Sequence, residues 1–197
     1  CANIDRTPVG GGFDPADAGV VSGFTLQPKN VAAFSTKGID FSARYRVPTE
    51  KLGIFNFSFV GNHLISLETQ GTPGADIIEN AGVLGDPEWQ VNFDFNWTLD
   101  NFNLNYGINY ADKTLRFSRA DIAADPDIVA PEYLKVDSRF EHDVQLRWTT
   151  DSNMSFYVGV NNVFDQEPDV GLYFDPVSAL GRFFYAGIRI SGDDLGF

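Results

Sequence analysis

Between Leu134 and Trp148 the chain alternates residue by residue. Leu134, Val136, Phe140, Val144, Leu146 and Trp148 hold one parity; Lys135, Asp137, Arg139, Glu141, Asp143, Gln145 and Arg147 hold the other. Period two is the pattern of a β-strand with one apolar and one wetted face. Ordinary strands run about 5–6 residues, far fewer than this pattern. At roughly 3.3 Å per residue it would reach about 50 Å, enough to cross a bilayer core at a steep tilt and project beyond it. Charge confined to one side of so long a strand predicts an outer-membrane β-barrel.

The same alternation recurs along the chain. Ile39, Phe41, Ala43, Tyr45 and Val47 form one apolar set, and Phe55, Phe57, Phe59, Ile65 and Leu67 a second. Further sets run from Trp89 to Leu99, Phe102 to Tyr110, Met154 to Val160 and Phe184 to Ile190. This predicts an all-β fold of about seven long antiparallel strands. Short turns at 48–52, 99–101 and 150–153 alternate with long loops at 69–87, 112–132 and 163–180. Outer-membrane meanders have short periplasmic turns and long external loops, whereas soluble sandwich turns do not sort by length. Trp89, Trp97, Trp148, Tyr106 and Tyr110 fall on apolar parities and are expected near strand ends, as an interfacial girdle. Seven is odd, single-chain bacterial barrels are even, and a lipid-exposed edge is not tolerated. The chain is therefore read as incomplete. A short strand at Val20–Leu26 would make an eighth. The expected organisation is an external loop region at 1–29, barrel strands and loops at 30–190, and a C-terminal tail at 191–197.

Bulk composition neither supports nor opposes this reading. Mean hydropathy is −0.16, because alternation averages the two faces to near zero. No apolar run is long enough for a transmembrane helix. A formal net charge of −13 argues against a nucleic-acid backbone as partner. The acid gathers in loops: Asp121, Asp125 and Asp127, then Asp165, Glu167, Asp169 and Asp175. A solvated surface is the favoured reading; an external divalent cation or cationic ligand is the sharper one. No charged-then-apolar leader is present, as expected of a mature protein or fragment. Cys1, the single cysteine, has three readings: half of a disulfide to upstream sequence, a lipidated first residue, or an accident of where the chain was cut. The first and third are favoured.

A succession of stretches resembles the C-terminal part of TonB-dependent outer-membrane receptors. These are Asn30-Val31 with Thr36-Lys37-Gly38-Ile39-Asp40 and Tyr45, then Gly85-Asp86-Pro87-Glu88-Trp89 opening a strand. Gly159-Val160-Asn161-Asn162-Val163-Phe164-Asp165-Gln166-Glu167-Pro168 follows, and then the terminal Gly181–Ile190. The Asn-Asn-Val-Phe-Asp segment before a Gly-Arg-aromatic strand is the most specific. Ser191–Phe197 departs from the family, whose members usually stop at an aromatic ending the last strand. The resemblance implies a 22-stranded barrel with a plug domain and an energy-coupling box. This chain would supply the last seven strands, and the earlier strands, plug and box would lie outside it. Implied partners are outer-membrane lipid and lipopolysaccharide, the missing strands and plug, and the TonB complex acting through the plug. The implied function is active import of a scarce large nutrient such as an iron chelate, a cobalamin or an oligosaccharide. The competing readings are a self-contained eight-stranded barrel with a structural or adhesive role and, ranked last, an outer-membrane hydrolase.

No catalytic, cofactor or metal site is expected. His63 and His142 fall on apolar parities and are given structural roles. No nucleophile elbow is present, and Gly10-Gly11-Gly12 lacks the strand–helix context of a phosphate loop. The lumen-facing ligand candidates are Arg139, Glu141, Asp143 and Arg147, which are expected to pair with one another or with a plug. Gly187 is expected to relieve packing in the closing strand.

Overall fold

The computed structural model describes residues 4–6, 21–24, 32–151, 154–172 and 179–190. Two short strands, β1 (Ile4–Arg6) and β2 (Val21–Phe24), pair with each other. The strand expected at Val20–Leu26 therefore exists, but it pairs outside the large sheet. The long strands are β3 (Ala33–Thr49) and β4 (Gly53–Gln70). After a two-residue β5 (Ile78–Glu79) come β6 (Trp89–Leu99) and β7 (Phe102–Ala111). Short β8 (Thr114–Leu115), helix α1 (Arg119–Ala124) and β9 (Lys135–Val136) lead to β10 (Arg139–Thr149), β11 (Ser155–Asn161) and β12 (Phe183–Arg189). The seven long strands lie in the order β12-β11-β10-β7-β6-β4-β3, every neighbour antiparallel. It is a meander, with short turns at one end and long loops at the other.

Register makes each face uniform. One apolar row crosses all seven strands: Phe184, Val160, Val144, Tyr106, Phe95, Phe57 and Tyr45. Its neighbours repeat the pattern, and rings tile across strands, with centroids 5.3 Å apart for Phe57–Phe95 and 5.5 Å for Phe41–Phe59. Among the described residues no second layer covers this face. Val158 is 56% exposed, Phe184 68% and Tyr45 70%. Among the described residues the buried hydrophobics are Ala81, Ala111 and Val136 alone. All three lie at the long-loop end or in its loops, so the wall has no water-excluded core. A soluble protein rarely exposes an apolar patch beyond a few hundred Å², and a larger one marks a protein or membrane contact.

Three departures from the sequence pattern have physical causes. The run from Leu134 to Trp148 is not one strand. It breaks at Asp137–Ser138 into β9, which pairs with β8, and β10 in the wall. Side chains from the loop after β11 intercept the ladder there: Asp137 N–H donates to Asp169 Oδ2 at 2.7 Å, and Gln166 Nε2 donates to Ser138 O at 2.8 Å. β4 carries a bulge: Lys37 pairs with Ser66 but Gly38 with Leu64, so Ile65 is the extra residue and Leu67, read as part of the apolar set of β4, pairs with Thr36, on the same parity of β3 as Asp40. Tyr106 lies mid-strand in β7 rather than near an end, and its hydroxyl bonds His142 Nδ1 at 2.6 Å. The other aromatics do sit toward strand ends. Trp97, for example, donates Nε1–H to Leu52 O at 2.7 Å beside a short turn.

The long-loop end is a packed platform. Val136 is fully buried, and Thr114 and Ser118 are buried beside Ala81 and Ala111 in the same set of segments. Ser118 caps α1 by accepting Asp121 N–H at 3.0 Å. Arg119 Nη1 donates to Ala81 O at 3.0 Å across two loops, and Arg116 reaches Tyr133 O and Val170 O at 2.8 and 3.0 Å. Glu79 pins the loop after β4: its carboxylate accepts Leu67 N–H at 2.7 Å, Ala81 N–H at 2.9 Å and Ser66 Oγ–H at 2.9 Å. These bonds, Leu67 N–H first and Ala81 N–H second, hold its pKa below the ordinary glutamate value. A depressed folded-state pKa contributes stability above the unfolded pKa, and that stability is lost as pH falls through the folded one. Amides of Leu67 and Ala81 are therefore expected to be protected at neutral pH and to lose protection below the ordinary carboxylate range. Hydrogen exchange corrected for its intrinsic pH dependence measures this. Glu79→Gln should start weaker and show no such transition.

Candidate functional site

The opposite face of the wall is polar and rich in carboxamides. Asn56 Nδ2 donates to Asn96 Oδ1 at 3.3 Å, Asn96 Nδ2 to Asn105 Oδ1 at 2.6 Å, and Asn105 Nδ2 to Asn103 Oδ1 at 2.8 Å. The ladder crosses β4, β6 and β7 and ends on Thr98 Oγ1, which accepts from Asn103 at 2.9 Å. On β6 and β7 the polar parity carries a single charge, Asp94. Tyrosines cover glycines on this face. The Tyr185 ring lies across Gly159 and the Tyr157 ring across Gly187, and a Cβ at either glycine would overlap the phenol. The expectation for Gly187 is met in that form.

All four candidate residues lie on this face of β10, but they do not form one cluster. Arg139 Nε and Glu141 Oε2 pair at 3.8 Å near the long-loop end. Asp143, mid-strand, takes neutral donors: Asn162 N–H at 2.9 Å and Asn109 Nδ2 at 3.3 Å. Arg147, near the short turn, donates to Gln145 Oε1 at 3.3 Å. The expected mutual pairing holds for the first two and not for the others. Both histidines lie on the apolar parity. His63 stacks on Trp89 at 4.1 Å with Nδ1 at 3.1 Å from Glu88 O, and His142 packs between Phe140 and Phe164, each at 4.8 Å.

Two features escaped sequence reading. Gly107 stands in register between Asp94 and Asp143. The missing side chain opens a groove of about 390 Å³ rimmed by those carboxylates, Asn109, Gln145 and Tyr185. Only known register could reveal it. The second is the Asn162–Gln166 hub. Asn162 is 4% exposed with φ +51°. Its Nδ2 donates to Gln166 O at 2.9 Å, and its Oδ1 accepts Gln166 N–H at 2.8 Å. The Gln166 carboxamide then accepts Phe140 N–H at 2.6 Å while donating to Ser138 O, standing in for a strand peptide beside β10. Asp165 Oδ1 accepts Arg182 N–H at 2.7 Å, tying in the approach to β12. The signal was the Asn-Asn-Val-Phe-Asp-Gln segment, recognisable by resemblance but silent about its bonds.

The loop acids serve similar ends. Asp125 Oδ1 accepts Asp127 N–H at 3.2 Å, and Asp121, Asp165 and Asp169 hold backbone or hydroxyl groups as above. Asp175, Cys1, Gly10–Gly12 and the tail at 191–197 lie outside the described residues. Among the described residues no three His, Cys, Asp or Glu side chains gather as a metal site. No helix among them is long and apolar enough to cross a membrane, which says nothing of strands.

Residues 3–163 match the family described as TonB dependent receptor-like, beta-barrel. No curated protein and no solved structure matches. The matched span takes in β3 to β11 and most of both faces described above. An antiparallel meander with one uncovered apolar face and one hydrogen-bonded polar face, matched over this length, belongs to the TonB-dependent receptor-like β-barrel family, a family of outer-membrane transporters rather than enzymes.

Proposed function

We propose that this chain forms the C-terminal part of the barrel of an outer-membrane receptor that imports a large, scarce nutrient with energy from the TonB complex. The observation that carries this is the asymmetry of the wall within a matched family. The apolar face is suited to lipid and lipopolysaccharide acyl chains, and the polar face to a hydrated lumen. The long-loop end then faces outward and the short turns face the periplasm. Among the described residues β3 and β12 are each paired on one side only, and an unpaired edge is not stable in lipid. Further strands of the same receptor, to a total of 22, would close the barrel. A plug in the lumen would meet Arg139, Glu141, Asp143 and Arg147 and carry contact to TonB. The separate pairing of β2 with β1 speaks against closure as a small eight-stranded barrel. Iron chelates, cobalamins and oligosaccharides are the candidate cargoes.

The test is uptake by cells whose growth on a supplied nutrient depends on the full-length gene. Import should fall to background when TonB is deleted or the proton gradient is collapsed. Uptake that survives both treatments would make the protein a passive pore.

A further inference from the structure

We infer that the turn after β11 (residues 162–166) is a lipid-contacting part of the wall, with Phe164 inserted among the acyl chains of the outer leaflet where β11 and β12 are too short to reach. The inference rests on the membrane-wall reading above and adds to it: a segment that reads as external loop by sequence is membrane surface.

The strands leave a gap. β11 and β12 have seven residues each, about 23 Å at roughly 3.3 Å per residue. Tilted by about 35–45°, as barrel strands are, they rise about 16–19 Å, short of an outward apolar band about 25 Å tall. β10, with eleven residues, rises about 26–30 Å by the same arithmetic. The three strands end together at the short-turn side, Thr149 against Ser155 and Ser155 against Arg189. The shortfall therefore lies at the long-loop end. Val160 opposite Val144 is the last pair of β11 with β10, while β10 runs on to Arg139, still paired with β7.

The turn occupies the vacated flank of β10. Val163 N–H donates to His142 O at 2.8 Å, and the Gln166 carboxamide serves Phe140 N–H and Ser138 O. Residues 163–166 thus stand beside 138–142, which are in register with Ile108 and Tyr110 on the apolar face of β7. The Phe164 ring packs on His142, a member of that face, with centroids 4.8 Å apart, and is 69% exposed. It continues the apolar surface sideways, past the end of β11.

The backbone suits that depth. Irregular chain is tolerated there only where protein buries it and satisfies its polar groups. Asn162 is buried, and the N–H groups of Asn162, Val163, Asp165 and Gln166 donate to Asp143 Oδ1, His142 O, Asn162 O and Asn162 Oδ1, each at 2.8–2.9 Å. Charge marks the upper limit. Arg182 Nη2 lies 3.8 Å from Asp165 Oδ2, and both side chains are about half exposed. A long cationic side chain at the end of a spanning element reaches for the headgroups, which sets Phe164 just beneath them.

The test places a nitroxide, carried on p-acetylphenylalanine, at position 164 of the full-length receptor in phosphatidylcholine vesicles. Oxygen concentrates in hydrocarbon and a nickel chelate in water, so their collision rates with the label report its depth. Labels at Ile108, on the apolar wall, and at Val170, an exposed apolar residue farther along the same loop, are the references. Position 164 should behave as Ile108 does, with nickel collisions at least about tenfold below those at Val170. Nickel access at 164 with Ile108 protected would overturn the inference, because the bilayer would then thin to meet the short strands. Poor access to both reagents would overturn it too, as the mark of a protein neighbour over Phe164. Nickel access at Ile108 as well would sink the membrane reading itself, so the two fail distinguishably. A second measurement needs no label: reversible unfolding of Phe164→Arg and Phe164→Leu in the same vesicles. Arginine should raise the unfolded-to-folded ratio about tenfold over leucine, between the interfacial and midplane costs of a cation on a lipid face. At a wetted position the two would agree within about twofold, and that result would overturn the inference.

Discussion

Val158→Arg should lower the unfolding free energy of the full-length barrel in lipid vesicles by about 2–4 kcal/mol, the cost of a cationic side chain on the lipid face near the bilayer midplane. Asn92→Arg should change it by less than about 0.5 kcal/mol, as at an ordinary wetted surface. The contrast is large because exposure alone would predict no difference. Val158 is 56% exposed, and in water an arginine there would be as harmless as at Asn92, which is also exposed. Val158 sits on β11 between Leu146 and Ala186, one row from the middle of the apolar face. Asn92 lies on β6 beside Asn109, on the carboxamide face. Reversible urea unfolding in vesicles measures both variants. Equal, small effects would mean that water meets the apolar face, and the membrane reading would fall with them.

That face was legible in the sequence because a strand's side-chain period is two and its backbone needs no long-range information to impose it. Trp89 to Leu99 appears as read, and Phe102 to Tyr110 with Ala111 added, down to the two-residue turn where Asp100 takes φ +47°. Legibility failed wherever phase or interruption depended on a distant partner. The bulge inserts Ile65 of β4 opposite Lys37–Gly38 of β3, so Leu67 pairs with Thr36, on the same parity as Asp40, and leaves the apolar set read for β4. The break after Val136 is made by Asp169 and Gln166, about thirty residues downstream. The candidate site fared in the same way. Placing Arg139, Glu141, Asp143 and Arg147 on one face follows from their parity. Their separation into an ion pair, a loop anchor and a carboxamide contact follows from what β7 and the loop after β11 set beside them. Asp94 and Gly107 went unnoticed because neither means anything until β6, β7 and β10 are in register.

The second large effect is expected at Asn162. Asn162→Ala should destabilise the segment joining β10, β11 and β12 by about 2–4 kcal/mol. Two bonds to the Gln166 backbone are lost, each worth about 0.5–1.5 kcal/mol. Alanine at φ +51° adds about 1 kcal/mol, since asparagine tolerates the left-handed region and alanine does not. With Gln166 released, Phe140 N–H loses its acceptor, so its hydrogen exchange should accelerate about a hundredfold, each 1.4 kcal/mol being tenfold. Val144 N–H, further along β10, should be unaffected. Asn162→Gly separates the causes, because glycine keeps the backbone geometry and loses only the side-chain bonds. It should fall between wild type and alanine. Unchanged exchange at Phe140 in the alanine variant would show that Gln166 is held by something other than Asn162. The consequence reaches the lumen, because Asn162 N–H is one of two donors on Asp143. A loosened turn leaves that carboxylate with Asn109 alone and shifts one rim of the groove over Gly107.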